Sequence, residues 1–333
     1  LGDGTIGVSA TATDVAGNAS SAGTSTFTLD TAAPTAPTLA LGSGVSNGAT
    51  AAEATAGTGV VTLTAEAGAS TVVTFTNGSQ SVSKTVTGNG STPVAVVLTG
   101  AELTALGDGT ISVSATATDA AGNASGAGTT SFTLDTAAPT APTLALGTGV
   151  SNGATTAEAT AATGVVTVTA EAGASTVVTF TKGAVSITKT VTGNGSTPVA
   201  VELTSAELTT LGDGTISVSA TATDAAGNAS SAGTTSFTLD TVAPTTPTLT
   251  LGTGVSNGAT TTEATAATGA VSVTAEAGAT TVVTFTNGIN TVSKTVTGNG
   301  STPVAVELSS AELTTLGDGT IGVSATATDV AGN

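Results

Sequence analysis

The letters LGDGT begin at Leu1, Leu106, Leu211 and Leu316, so each start lies 105 residues after the one before. The period never slips by a residue. Whatever fold one unit adopts, its neighbours must adopt too. A period of 105 is too long for most solenoid units and matches a whole small domain. Residues 1–18 and 316–333 are identical, while the inner copies read TISVS and DAAGN at the matching places.

Proline marks where one unit stops. LDTAAPTAP at Leu134–Pro142 follows an apolar run and carries neither a strand nor a helix signal, so it reads as a joint. Related joints follow Leu29 and Leu239. The boundaries are then 1–29 for the last strands of a preceding repeat, and 30–134 and 135–239 for two full repeats. Residues 240–333 form a repeat lacking its last strand. The chain opens in mid-pattern, which predicts an internal piece of a longer array, so a missing secretion signal tells nothing.

Within a unit, short Val/Thr alternations are separated by Gly/Asn turns. Seven strands are predicted in the first full repeat, near 37–41, 59–66, 70–76, 81–87, 92–99, 110–118 and 128–134. In the sixth, Ile111, Val113, Ala115 and Ala117 share one face, and Ser112, Ser114, Thr116 and Thr118 the other. AELTALG at 101–107 predicts one helical turn. The fold class is therefore all-β: tandem immunoglobulin-like β-sandwich domains of about seven strands each, in an extended rod. Lys84, Lys189 and Lys294 lie in phase with core residues of the fourth strand, which marks an edge that resists sheet-to-sheet pairing. A bulge that turns the lysine outward is the alternative.

Composition narrows the chemistry. The chain has 333 residues, 8% charged, with 4 Lys, no Arg, no His and no Cys, and a net charge of -18. There is no thiolate, no imidazole and no nitrogen or sulfur ligand for zinc. Only oxygen ligands remain, which suit a hard cation. Strong acidity without Arg argues against nucleic acid and anionic membranes. The mean hydropathy of +0.38 comes from scattered Ala and Val, and no apolar run approaches the ~18 residues of a membrane helix.

All 11 Asp fall at three positions of the repeat. Asp3, Asp108, Asp213 and Asp318 stand in LGDGT; Asp14, Asp119, Asp224 and Asp329 stand in TATD-x-AGN; Asp30, Asp135 and Asp240 stand at the joints. An odd number of alternating strands puts LGDGT beside the outgoing joint and TATD-x-AGN at the opposite, incoming end. Each joint is then expected to gather three Asp: Asp3, Asp30 and Asp119; Asp108, Asp135 and Asp224; Asp213, Asp240 and Asp329. Glu66, Glu171 and Glu276, in the loop after the second strand, lie at the same incoming ends. Glu53, Glu158 and Glu263 are weaker ligand candidates. Converging carboxylates repel unless neutralised, and Ca2+ takes six to eight oxygens. The alternative is that Asp closes the turns through side-chain hydrogen bonds alone. The Asn-x-Ser triplets at Asn18, Asn123 and Asn194 read as turns.

The run DGTISVSATATDAAGNAS…TSFTLDTAAPTAPTL resembles the bacterial Ig-like tandem repeats of giant secreted adhesins, especially the extender regions of RTX adhesins of biofilms. The likeness covers the whole chain. It implies a monomeric cell-surface fibre, secreted by a type I system, with Ca2+ at domain junctions that stiffens it and holds an adhesive tip away from the cell. The glycine-rich nonapeptide that names RTX proteins is absent. The expected partners are Ca2+ and neighbouring repeats, with no nucleic acid, no membrane insertion and no enzymatic activity. The competing expectation is a repeated module that binds a glycan, a host protein or ice through outward Thr ladders such as TVTVTA.

Overall fold

The computed structural model describes all 333 residues. They divide into two compact units, one of residues 1–139 with the loop 223–229, the other of residues 140–222 and 230–333.

The first unit opens with a hairpin, β1 (Gly4–Ala10) against β2 (Gly23–Leu29). A full repeat follows. Its first sheet is β3 (Thr38–Leu41), β4 (Val61–Thr64) and β7 (Val94–Val96). The facing sheet orders β6 (Gln80–Thr87), β5 (Ser70–Asn77), β8 (Gly109–Thr118) and β9 (Gly128–Leu134). The pairings between these strands are all antiparallel. Seven strands in two facing sheets make a β-sandwich. The strands follow the expected segments, although β4 and β7 are shorter than expected. Gly59, at φ 82°, lies too near the backbone of Val61, Val96 and Ala95 to admit a side chain, so the chain turns there and β4 starts after it.

Side-chain period makes the core. Ile111, Val113, Ala115 and Ala117 of β8 are all at most 1% exposed. Phe75 and Phe132 meet edge to face at 6.5 Å. Gly128 permits β9 to start against the carbonyl of Pro37, which a Cβ would approach to 1.8 Å. Apolar burial of this kind supplies the main folding drive.

Two helices interrupt the strands. α1 (Ala51–Ala54) follows a single turn of 3-10 helix at Val45–Asn47, and α2 (Gly100–Leu106) links β7 to β8. Both begin with a capping box, Thr50 with Glu53 and Thr99 with Glu102. The sequence predicts α2. A four-residue helix carries no apolar period, which is why α1 escapes a periodicity reading.

The second unit repeats this plan. One sandwich has sheets of three and four strands, the last strand being Gly233–Leu239. The other has two three-stranded sheets, of which one holds Thr280–Asn287, Asn290–Thr297 and Gly322–Thr328. Phe180 and Phe237 reproduce the edge-to-face pair at 6.4 Å.

The fourth strand of each repeat is an edge strand with unbroken register, so no bulge displaces its lysine. Lys84 reaches Glu102 at 2.6 Å, Lys189 reaches Glu207 at 2.7 Å and Lys294 reaches Glu312 at 2.6 Å. No helix is long and apolar enough to cross a membrane.

Candidate site at the joints between repeats

Each joint is built from three loops whose acidic residues have separate work. In LGDGT, Asp108 Oδ1 accepts hydrogen bonds from the Thr136 amide at 3.0 Å and the Thr136 hydroxyl at 2.9 Å. Asp213 holds Thr241 in the same way, and Asp3 holds Thr31. This carboxylate therefore ties the loop before the sixth strand to the first residues of the outgoing joint.

The joint aspartate sits at the end of the last strand. Ala49 pairs in parallel with Leu134, and Asp135 N donates to Ala49 O at 3.0 Å. Asp135 Oδ1 accepts from Ala137 N at 3.2 Å; Asp30 and Asp240 make the same bond two residues on.

The third carboxylate closes the D-x-AGN turn. Asp224 Oδ1 accepts from Gly227 N at 2.7 Å and Asn228 N at 2.9 Å, while Oδ2 accepts from Asn228 Nδ2 at 2.9 Å. Asp119 and Asp329 form the same cage. These bonds hold the carboxyls below the ordinary value of 3.8. In Asp119 the Asn123 side chain is the chief cause. In Asp224 and Asp329 partial burial pushes upward, but the asparagine and backbone donors outweigh it.

The amide of that asparagine has a second N–H, and it crosses to the joint. Asn123 Nδ2 donates to Asp30 O at 3.1 Å, Asn228 Nδ2 to Asp135 O at 2.9 Å and Asn333 Nδ2 to Asp240 O at 3.0 Å. Thus Asp108 is bonded to the residue after Asp135, and Asp224 is linked to Asp135 through one amide. The asparagines are the joint residues that a search for charge passes over. Their recurrence every 105 residues, at Asn123, Asn228 and Asn333, was the available signal.

The joints offer oxygen donors alone, the donor type that a hard cation takes. Asp108 and Asp135 each commit Oδ1 to hydrogen bonds and keep Oδ2 for another partner. Asp224 has both oxygens engaged. No group of three or more acidic side chains stands close enough to hold a metal ion. Any cation would therefore draw on carbonyl oxygens as well as carboxylates. Glu66, Glu171 and Glu276 are exposed in the loops after the second strand. That loop lies at the incoming end, where a Cβ on Gly278 would stand 3.5 Å from Val330 Cγ2. Glu53, Glu158 and Glu263 spend Oε2 on the threonine of their capping boxes.

The middle repeat caps the loop before its sixth strand differently. Asn77 Nδ2 lies within 3.2 Å of the carbonyls of Leu106, Gly107 and Asp108, and Asn287 repeats this cap. Lys182 stands at the equivalent place, and its ammonium donates to the Asp213 carbonyl. Elsewhere, the outer face of the four-stranded sheet forms a shallow trough lined by Thr76, Ser112, Ser114, Thr129 and Ser131.

No protein-family model and no curated protein matches the chain. Solved structures do. A tetra-tandem repeat in the extending region of a large adhesion protein is 27% identical, with TM-score 0.33, over 100% of this chain and 80% of that one. The chain resembles tandem repeats of large bacterial adhesins. A structure from a 1.5-MDa bacterial ice-binding adhesin, solved for its host cell surface retention, is also 27% identical, with TM-score 0.37, over 89% of this chain and 93% of that one. The chicken CNTN1 FN1–FN3 domains are 11% identical, with TM-score 0.30, over 90% and 95%. The sandwich fold of these adhesin-like repeats is given by their own strand pairing.

Proposed function

We propose that the chain is a spacer segment of a bacterial cell-surface adhesin, and that Ca2+ at its joints limits bending between repeats. The observation that carries this reading is the recurrence of one joint arrangement. Asp3, Asp108 and Asp213 each grip the residue after the joint Asp, and Asp30, Asp135 and Asp240 each keep a free Oδ2 beside that grip. Near-identical repeats supply length rather than variety. The net charge of -18 keeps like domains apart in solution and raises the local concentration of cations.

In this reading Asp108 and Asp135 would be the carboxylate ligands of their joint, and Ca2+ would supply positive charge to neutralise them. Asp224 acts differently: it shapes the turn that delivers Asn228 to the joint. The proline residues of the joint restrict φ, and the cation removes freedom that remains. Such a segment is exported and displayed outside the cell, and it carries no reaction. The hydroxyl trough offers neither an aromatic platform nor a charge for ligand recognition, so the spacer reading is preferred over a binding module.

Small-angle scattering of the full chain with Ca2+ and then with EDTA tests the reading. EDTA is expected to shorten the maximum dimension and increase flexibility, and Asp108→Ala with Asp135→Ala is expected to reduce the calcium bound in a calorimetric titration. Identical scattering in the two buffers would remove calcium stiffening.

A further inference from the structure

We propose that each joint also carries a socket that needs no metal, in which the loop after the first strand of one repeat receives the D-x-AGN turn of the next. The partner this surface fits is another copy of the same repeat, in one direction only. The inference goes beyond calcium stiffening and stands on different atoms.

The joint around Asp240 lies wholly within the second unit and shows the parts. Asn152 Nδ2 donates to Val330 O at 2.9 Å and to Ala331 O at 3.3 Å. In return Asn333 Nδ2 donates to Asp240 O at 3.0 Å. Between these two amides, Ala331 sits over Gly153. A Cβ on Gly153 would lie 2.9 Å from Ala331 Cβ, and Gly153 also has φ 121°, so glycine is required twice over. The same set recurs in the first unit. Asn47 donates to Ala225 O at 3.1 Å, Asn228 to Asp135 O at 2.9 Å, and Ala226 stands 3.0 Å from a Cβ on Gly48.

The chain contains its own control. Ala331 is 4% exposed and Ala226 is 5% exposed, whereas Ala121, in the same DAAGN turn as Ala226 but meeting no such loop, is exposed. Burial of this alanine is therefore due to the socket and not to its own turn.

The donors are neutral amides and the acceptors are backbone carbonyls, so no part of the socket calls for a cation. The two surfaces are complementary but unlike. The outgoing end offers an asparagine amide, a bare glycine and an aspartate carbonyl. The incoming end offers two carbonyls, a methyl group and an asparagine amide. Two outgoing ends would set donor against donor and leave both glycine hollows empty. The contact is thus heterologous and runs head to tail.

The absence of Cys makes the test clean, because two labels can be placed at will. Thr190→Cys and Thr295→Cys, both exposed, carry spin labels on either side of the Asp240 joint in the full chain. Pulsed dipolar spectroscopy in EDTA is expected to give a narrow distance distribution. Asn152→Ala with Ala331→Leu should lose the narrow peak, while Ala121→Leu should keep it and show that the turn itself accepts leucine. A distribution in EDTA as broad for the parent as for the Asn152→Ala, Ala331→Leu variant would overturn the socket. The calcium reading is separable in the same samples. A peak that narrows only when Ca2+ is added defeats the socket and leaves stiffening intact; a peak already narrow in EDTA and unmoved by Ca2+ does the reverse.

Discussion

At Thr71 a hydroxyl faces the core of β5 with no hydrogen-bond partner, and Thr176 and Thr281 repeat it. Each is 0% exposed. A buried polar group without a partner costs free energy that an apolar group of the same shape does not. Thr71→Val, with Thr176→Val and Thr281→Val, should therefore raise stability by ~1 kcal/mol per repeat. The check is the urea midpoint, and a lower midpoint would mean that the hydroxyl is bonded after all. The neighbouring joint residues teach the opposite lesson. Asn123 spends one N–H on its own Asp119 and the other across the joint on Asp30 O, so one amide both shapes a turn and makes a contact. Its sequence context, Asn-x-Ser in a turn, showed only the first of these.

Among elements, the edge strand is where self-association would start. β6 has one hydrogen-bonded neighbour, β5, and leaves its other edge open. Lys84 stands on the phase of Val82 and Val86, at the rim of the sandwich, and is about a quarter exposed with Glu102 beside it. Exposure of this degree limits what the ion pair adds to stability, to at most ~1 kcal/mol. Replacing Lys84, Lys189 and Lys294 by Val should thus change the melting temperature little, yet it should promote self-association by giving each edge an unbroken apolar phase. Sedimentation velocity decides: variants as monodisperse as the parent would show that the lysines do not guard the edge. The same glutamate caps α2, so the lysine also fixes the helix that closes this side of the sandwich.

For the whole molecule, acid is the revealing condition. Asp119, Asp224 and Asp329 have carboxyls held below their ordinary 3.8, and Glu102 lies below its ordinary 4.5, chiefly through Lys84. Glu312, whose largest influence is Lys294, is held down to about 2. A carboxyl whose pKa is lower folded than unfolded stabilises the folded state above its unfolded value and loses that contribution as pH falls toward its folded one. The melting temperature should therefore be level from about pH 7 to about pH 5 and decline below that, as the ordinary values are crossed. Calorimetric scans across pH test this; a rise in melting temperature on acidification would mean that charge repulsion outweighs these hydrogen bonds. The effect is multiplied because every repeat carries the same groups at the same places.

How much was legible beforehand follows from what each scale depends on. Alternation in ISVSATAT determined which residues of β8 face inward, because a strand has a period of two whatever its partners are. The 105-residue period and the prolines predicted repeat boundaries at Asp30, Asp135 and Asp240, whereas the structure divides into two compact units. The confinement of Asp to three positions drew attention to the joints, and an odd strand count predicted LGDGT beside the outgoing joint, where Asp108 holds Thr136. The tertiary structure alone decided which atoms meet. It gave Asp108 to Thr136, engaged Asp224 within its own turn, and brought the amides of Asn47 and Asn228 to the neighbouring loop. Hydrogen bonding is directional and short in range, so a pattern along the chain can bring groups to one end of a domain without telling which donor finds which acceptor. The glycine at Gly48 shows the same limit: its need for space becomes visible only when Ala226, 178 residues away, is laid against it.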